Sequence, residues 1–149
     1  MPATPRPAPT VPQDATPTRM ALVVRPPEDA DGNGYPDLLR VEAALFSFPD
    51  HPTAMRADGV FVFTLYRRGE SSKPDARPVR VWRREGERLA AAETRAMYGL
   101  CYRFDLSLLE DGRDRGPALA ADLRGRFEPA GGGDPVHTSD EVRPVQIGR

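Results

Sequence analysis

From residue 19 onward the apolar positions fall in short runs, and most of the runs alternate with a period of two. The runs are separated by clusters of Pro, Gly, Asp and Ser, the residues of turns. Seven stretches read as strands: 20–24, 38–48, 59–66, 79–83, 100–109, 119–127 and 142–147. In 59–66 both faces are apolar, with Phe61, Phe63 and Leu65 on one side and Val60, Val62, Thr64 and Tyr66 on the other, so this strand belongs at the centre of a sheet. In 100–109 the alternation is clean: Leu100, Tyr102, Phe104, Leu106 and Leu108 point inward, and Cys101, Arg103, Asp105 and Ser107 point outward. In 119–127, Leu119, Ala121, Leu123 and Phe127 are inward, and Asp122, Arg124 and Arg126 outward. Pro144 marks 142–147 as an edge strand, because proline cannot donate to a ladder.

One segment breaks the period. Residues 87–97 are Ala-rich and place Leu89, Ala92, Ala96 and Met97 on one helical face, which predicts a short helix. The residues before 19 break it differently. Six prolines fall within 1–17, and Val11 is the only bulky apolar side chain there after Met1. Neither helix nor ladder forms in such a stretch, so 1–18 reads as a disordered proline-rich leader that acts as a spacer. The expectation is a mostly all-β chain: a single antiparallel β-sandwich domain over 19–149, with about seven strands and one short helix.

Composition narrows the partners. A chain of 149 residues accommodates one domain. The formal net charge of −1 provides no long-range attraction toward nucleic acid or an anionic membrane. Lys73 is the single lysine among 21 basic residues, a bias spread over the whole chain and not focused on one site. Cys101 is the only cysteine, which excludes an intrachain disulfide. No apolar run approaches the length of a transmembrane segment, and neither a signal peptide nor a lipobox is recognisable.

The stretch most suggestive of chemistry is 29–37, DADGNGYPD. Oxygen-bearing side chains stand at Asp29, Asp31 and Asn33, glycines provide the bend, and Asp37 is the ninth residue. A loop with this spacing can wrap Ca²⁺, with Asp29, Asp31 and Asn33 as direct ligands, Tyr35 giving its carbonyl, and Asp37 binding directly or through water. The stretch resembles EF-hand-like calcium loops, including those of dockerins and thrombospondin type 3 repeats. It departs from them at the twelfth position, Arg40, where a bidentate glutamate is usual, and in its strand-like flanks. The same residues also build a tight turn that holds no ion.

The wider pattern, with this loop before the core strands and Gly59-Val60-Phe61-Val62-Phe63-Thr64-Leu65-Tyr66 after it, is similar to small β-sandwich domains of uncharacterised bacterial envelope proteins and lipoproteins. That resemblance implies an extracytoplasmic location and carries no known activity. Other features point to ordinary roles. His51 and His137 lie in turn-rich segments without a nucleophile motif, so neither marks a triad. Arg67, Arg68, Arg80, Arg83 and Arg84 surround Tyr66 and Trp82, but Glu70, Asp75, Glu85 and Glu87 offset them, giving a solvated sheet face and not a nucleic-acid groove. Trp82 reads as a core anchor and Cys101 as a small buried hydrophobe. The function expected is a non-catalytic binding or structural module, calcium-stabilised, of the bacterial envelope. The alternatives are a carbohydrate- or peptide-binding module using aromatics near Tyr66, Trp82 and Tyr98, and an enzyme with an unrecognised site.

Overall fold

The structure is a computed structural model that describes residues 16–30, 32, 34, 36–48, 51–108, 119–137 and 143–147. Most of the leader, together with Asp31, Asn33, Tyr35 and Asp50, lies outside the described residues. The described elements are β1 (Arg19–Val24), β2 (Leu38–Ser47), β3 (His51–Met55), β4 (Gly59–Arg67), β5 (Arg80–Glu85), α1 (Glu87–Ala92), β6 (Glu93–Ala96), β7 (Gly99–Ser107), β8 (Leu119–Pro129), β9 (Val136–His137) and β10 (Arg143–Ile147).

They form two packed sheets, as the alternation predicts. The first has the order β1-β2-β3-β7-β6, with β2 also paired directly to β7. The second has the order β10-β8-β4-β5, with β9 on the far end of β8. All pairings are antiparallel except the short one between β3 and β7 at Ala54 and Gly99. The doubly apolar strand β4 is central, held between β8 and β5, and β10 with its proline is an edge.

The inner faces interlock around aromatic rings. Phe61 is fully buried, with Phe127 at 4.8 Å, Tyr102 at 5.1 Å and Phe104 at 5.2 Å between ring centroids, all tilted by 53–55°. Such edge-to-face pairs each contribute about 0.5–1.5 kcal/mol beyond simple burial. Gly59 permits this closeness: a Cβ there would stand 2.2 Å from the Glu128 carbonyl oxygen and 2.6 Å from the Phe127 ring.

A second lock joins the sheets. Beyond Tyr102, β7 pairs with β2 on one side only, since β6 reaches no further. Carbonyls on the other side need donors. Side chains of β5 provide them: Trp82 Nε1 donates to the Ser107 carbonyl at 3.1 Å, Arg84 Nη2 to the Asp105 carbonyl at 3.0 Å, and Arg80 Nη2 to the Leu108 carbonyl. Trp82 is therefore the expected core anchor, 3 % exposed. The arginine cluster divides, because Arg80 and Arg84 serve these carbonyls while Arg83 stays exposed.

Three strands were not anticipated: β3, β6 and β9. The predicted helix over 87–97 ends at Ala92. Glu93 takes extended geometry, with ψ 134°, and 93–96 pairs with the edge of β7 as β6. Leu89 is buried as expected, whereas Met97 is fully exposed. Asp122, expected to face solvent, is buried because the turn after β4 covers it and the Gly69 N–H donates to its Oδ2 at 2.9 Å. His51 lies in β3 and His137 in β9, not in loops. At the end of the leader, Thr18 joins the fold: its N–H bonds the Phe46 carbonyl at 2.8 Å. Among the described residues no helix is long and apolar enough to cross a membrane.

Candidate functional site

The outer face of the first sheet carries an apolar surface that the inner core does not need. On β2, Ala44 and Phe46 point away from the sandwich, as Cys101 does on β7. Ala44, Ala54 and Cys101 are buried there in a small cluster of their own, with Phe46 and Ala96 packed against it. Cys101 is thus on the outward face of its strand yet fully buried, and desolvation pushes its thiol pKa up.

Above this cluster runs a row of rings. Phe46 and Phe48, two residues apart on one strand face, stack with centroids 5.1 Å apart and planes within 8°. Tyr98 continues the row at 6.2 Å from Phe46. Phe48 is 38 % exposed and Tyr98 40 %, with Met97 beside Tyr98 in the chain. Local structure holds each ring. Thr18 Oγ1 accepts the Phe48 N–H at 3.0 Å, fixing the end of β2. Tyr98 sits in the tight β6–β7 hairpin, which Gly99 closes at φ +116°, and its carbonyl accepts the Ala54 N–H at 2.7 Å. A Cβ at Gly99 would stand 2.8 Å from the Ala54 carbonyl oxygen.

Charged groups border the row. The Arg19 guanidinium lies 5.6 Å from the Phe48 ring centroid. Glu42 gathers three donors: Tyr98 OH at 2.5 Å, Cys101 Sγ at 3.3 Å and Arg103 Nε at 3.3 Å. The Tyr98 bond first, then those from Cys101 and Arg103, holds the Glu42 carboxyl below its usual range, and the same bond raises the Tyr98 phenol. Glu42 thereby fixes the Tyr98 ring by its hydroxyl and leaves the face of the ring accessible.

Polar groups also stand within reach of a ligand elsewhere on the described surface. An open cleft of about 870 Å³ lies where β4 begins and β8 ends, bordered by Arg56, Glu93, Tyr102, Asp58, Glu85 and Glu128. Several of its polar groups bind one another. Arg56 clasps Glu93 through two bonds of 2.6 and 2.8 Å, and Glu128 pairs with Arg126 at 2.9 Å. The Tyr102 hydroxyl accepts the Ala57 N–H at 3.2 Å, and burial raises its pKa.

Another such place is the 29–37 loop. An antiparallel bridge between Glu28 and Leu38 closes its base. Asp29 is exposed, and its carboxylate accepts the N–H groups of Gly32 at 2.9 Å and Gly34 at 2.7 Å. Asp37 is buried against the backbone of Ala30. The remaining members of the expected ligand set, Asp31, Asn33 and Tyr35, lie outside the described residues. Among the described residues no three His, Cys, Asp or Glu side chains gather to hold a metal.

The aromatics singled out in the sequence do not converge. Trp82 is in the core, Tyr66 is half-buried on the outer face of the second sheet, and only Tyr98 joins the exposed row. Its partners Phe46 and Phe48 had a legible signal: two aromatics with strand spacing just before a Pro-Asp turn, on the face that also carries Glu42. Compared with family models, with curated proteins and with solved structures, the chain matches none.

Proposed function

We propose that this chain is a non-catalytic β-sandwich binding module that takes an extended glycan along the Phe46–Phe48–Tyr98 row. The carrying observation is the row itself: three rings on one sheet face, two of them about two-fifths exposed, held by Thr18, Glu42 and Cys101-side packing. The C–H faces of sugar rings are apolar and stack on aromatic faces, while their hydroxyls seek carboxylates and guanidinium groups. Glu42, Arg103 and Arg19 stand beside the row to meet them. Aromatic side chains with a few placed polar groups are the usual make-up of a ligand site. A location at the bacterial envelope belongs to the same proposal and is supported by the sequence resemblance alone. The test is co-sedimentation of the purified chain with insoluble glycans (peptidoglycan sacculi, chitin and cellulose), compared with the double variant Phe48→Ala, Tyr98→Ala.

A further inference from the structure

The loop 29–37 leaves one charge unaccounted for. Asp37 is 3 % exposed. Its Oδ1 accepts the Ala30 N–H at 2.9 Å, but its Oδ2 is shielded from solvent and has no hydrogen-bond partner. A buried carboxylate oxygen is strongly unfavourable unless a donor or a cation meets it. Asp29 lies on the other strand of the same loop base. The Asp37 N–H bonds the Glu28 carbonyl at 2.9 Å, and the Glu28 N–H bonds the Leu38 carbonyl at 2.9 Å, so 28–30 and 37–38 run side by side. The amides of Gly32 and Gly34 curl around the Asp29 carboxylate, one on each of its oxygens. Both glycines have positive φ, +76° and +88°, and this permits the curl.

We propose that Asp37, through its unpartnered Oδ2, and Asp29 together ligate a divalent cation at the base of this loop, and that the cation is Ca²⁺. Two carboxylates offer hard oxygen donors. A glycine-containing loop suits the irregular coordination of six to eight oxygens that Ca²⁺ accepts and the stricter octahedron of Mg²⁺ does not. Water completes the shell. This inference stands apart from glycan binding and does not depend on it.

The experiment is thermal unfolding of the full chain in excess CaCl₂ and in chelator, with Asp37→Asn alongside. That variant preserves shape and the Oδ1 acceptor while removing the charge. The native midpoint rises by about 5–10 °C with Ca²⁺. The variant gains little, and in chelator it is at least as stable as the native chain, since a neutral amide replaces an unpartnered charge. This reversal of rank between the two conditions is not expected from a purely structural aspartate. Native curves that superimpose overturn the proposal, and so does an equal rise in both proteins, which would place the ion elsewhere. If Asp37→Asn does not fold, calorimetric titration of CaCl₂ into the native chain and into Asp29→Asn decides: one ion per native chain with weaker binding to the variant upholds the site, and no heat of binding refutes it.

Discussion

Phe61 and Phe48 are the same side chain in opposite circumstances. Phe61 is fully enclosed between the sheets, ringed by Phe127, Tyr102 and Phe104 at steep tilts. Phe48 lies on the outer face of the first sheet, stacked nearly parallel on Phe46, with Arg19 near its ring. In the interior Phe61 meets three tilted rings and also lies parallel to Phe63, so the packing energy is used within the fold. On the outer face parallel stacking satisfies one side of the ring and leaves area open. The first arrangement makes a stable protein, and the second makes a surface that gains by being covered.

The comparison is broken most severely from the inside. Phe61→Ala removes the hub of the core, and the expected loss is about 3–5 kcal/mol of unfolding free energy in a denaturant titration. A value near that of a surface substitution would mean that the two sheets do not pack through this ring. A smaller effect, about 1–3 kcal/mol, is expected for Trp82→Phe. The ring volume is largely retained, but the Ser107 carbonyl loses the indole N–H that donates to it at 3.1 Å. Retained stability would show that water replaces the indole N–H and that the β5 lock is dispensable.

The smallest effect sharpens the outer face. Glu42 has its carboxyl pKa lowered from the ordinary 4.5, chiefly by the Tyr98 hydroxyl. A carboxylate depressed in the folded state contributes stability that is fully present above its unfolded pKa and is lost as pH falls through the folded value. A modest fall in thermal midpoint is therefore expected below pH 4.5, and Glu42→Gln should lack that increment. Equal acid sensitivity in the two proteins would show that Glu42 does not hold Tyr98 in solution.

Much of the interior was legible in the sequence because burial imposes a period. The alternation in 100–109 and 119–127 fixed which side chains of β7 and β8 face inward, and the doubly apolar run 59–66 marked β4 as central. The strands that escaped, β3, β6 and β9, are two to five residues long, too short to display a period of two, although each pairs with a strand beside it in the chain. Residues 93–96 illustrate the conflict. Their Ala-rich surroundings favour helix, yet pairing of Glu93 with Tyr102 and Ala96 with Gly99 draws them onto the edge of β7. Local propensity is overruled by a ladder that only the fold supplies. Asp122 was misread for a similar reason, since alternation specifies a face and not what later covers it.

The candidate site was less legible. Tyr66, Trp82 and Tyr98 were grouped by their place in the sequence, but the fold puts Trp82 in the core and the two tyrosines on different sheets. Phe46 and Phe48 had a signal in their strand spacing, but a period of two does not say which face meets the second sheet. Asp29 and Asp37 were visible as a ligand pattern, but the unpartnered Oδ2 of Asp37 is a property of packing alone.

The most direct test of the account measures retention and stability in the same two proteins. Native chain and Phe48→Ala, Tyr98→Ala are sedimented with peptidoglycan sacculi, chitin and cellulose, and their unfolding midpoints are recorded in parallel. The account predicts that at least one glycan retains the native chain, that the double variant loses about tenfold or more in affinity, and that its stability falls by only about 1–2 kcal/mol, because exposed rings bury little area. If none of the glycans retains the native chain, or the variant is retained equally well, the aromatic row is not a glycan platform.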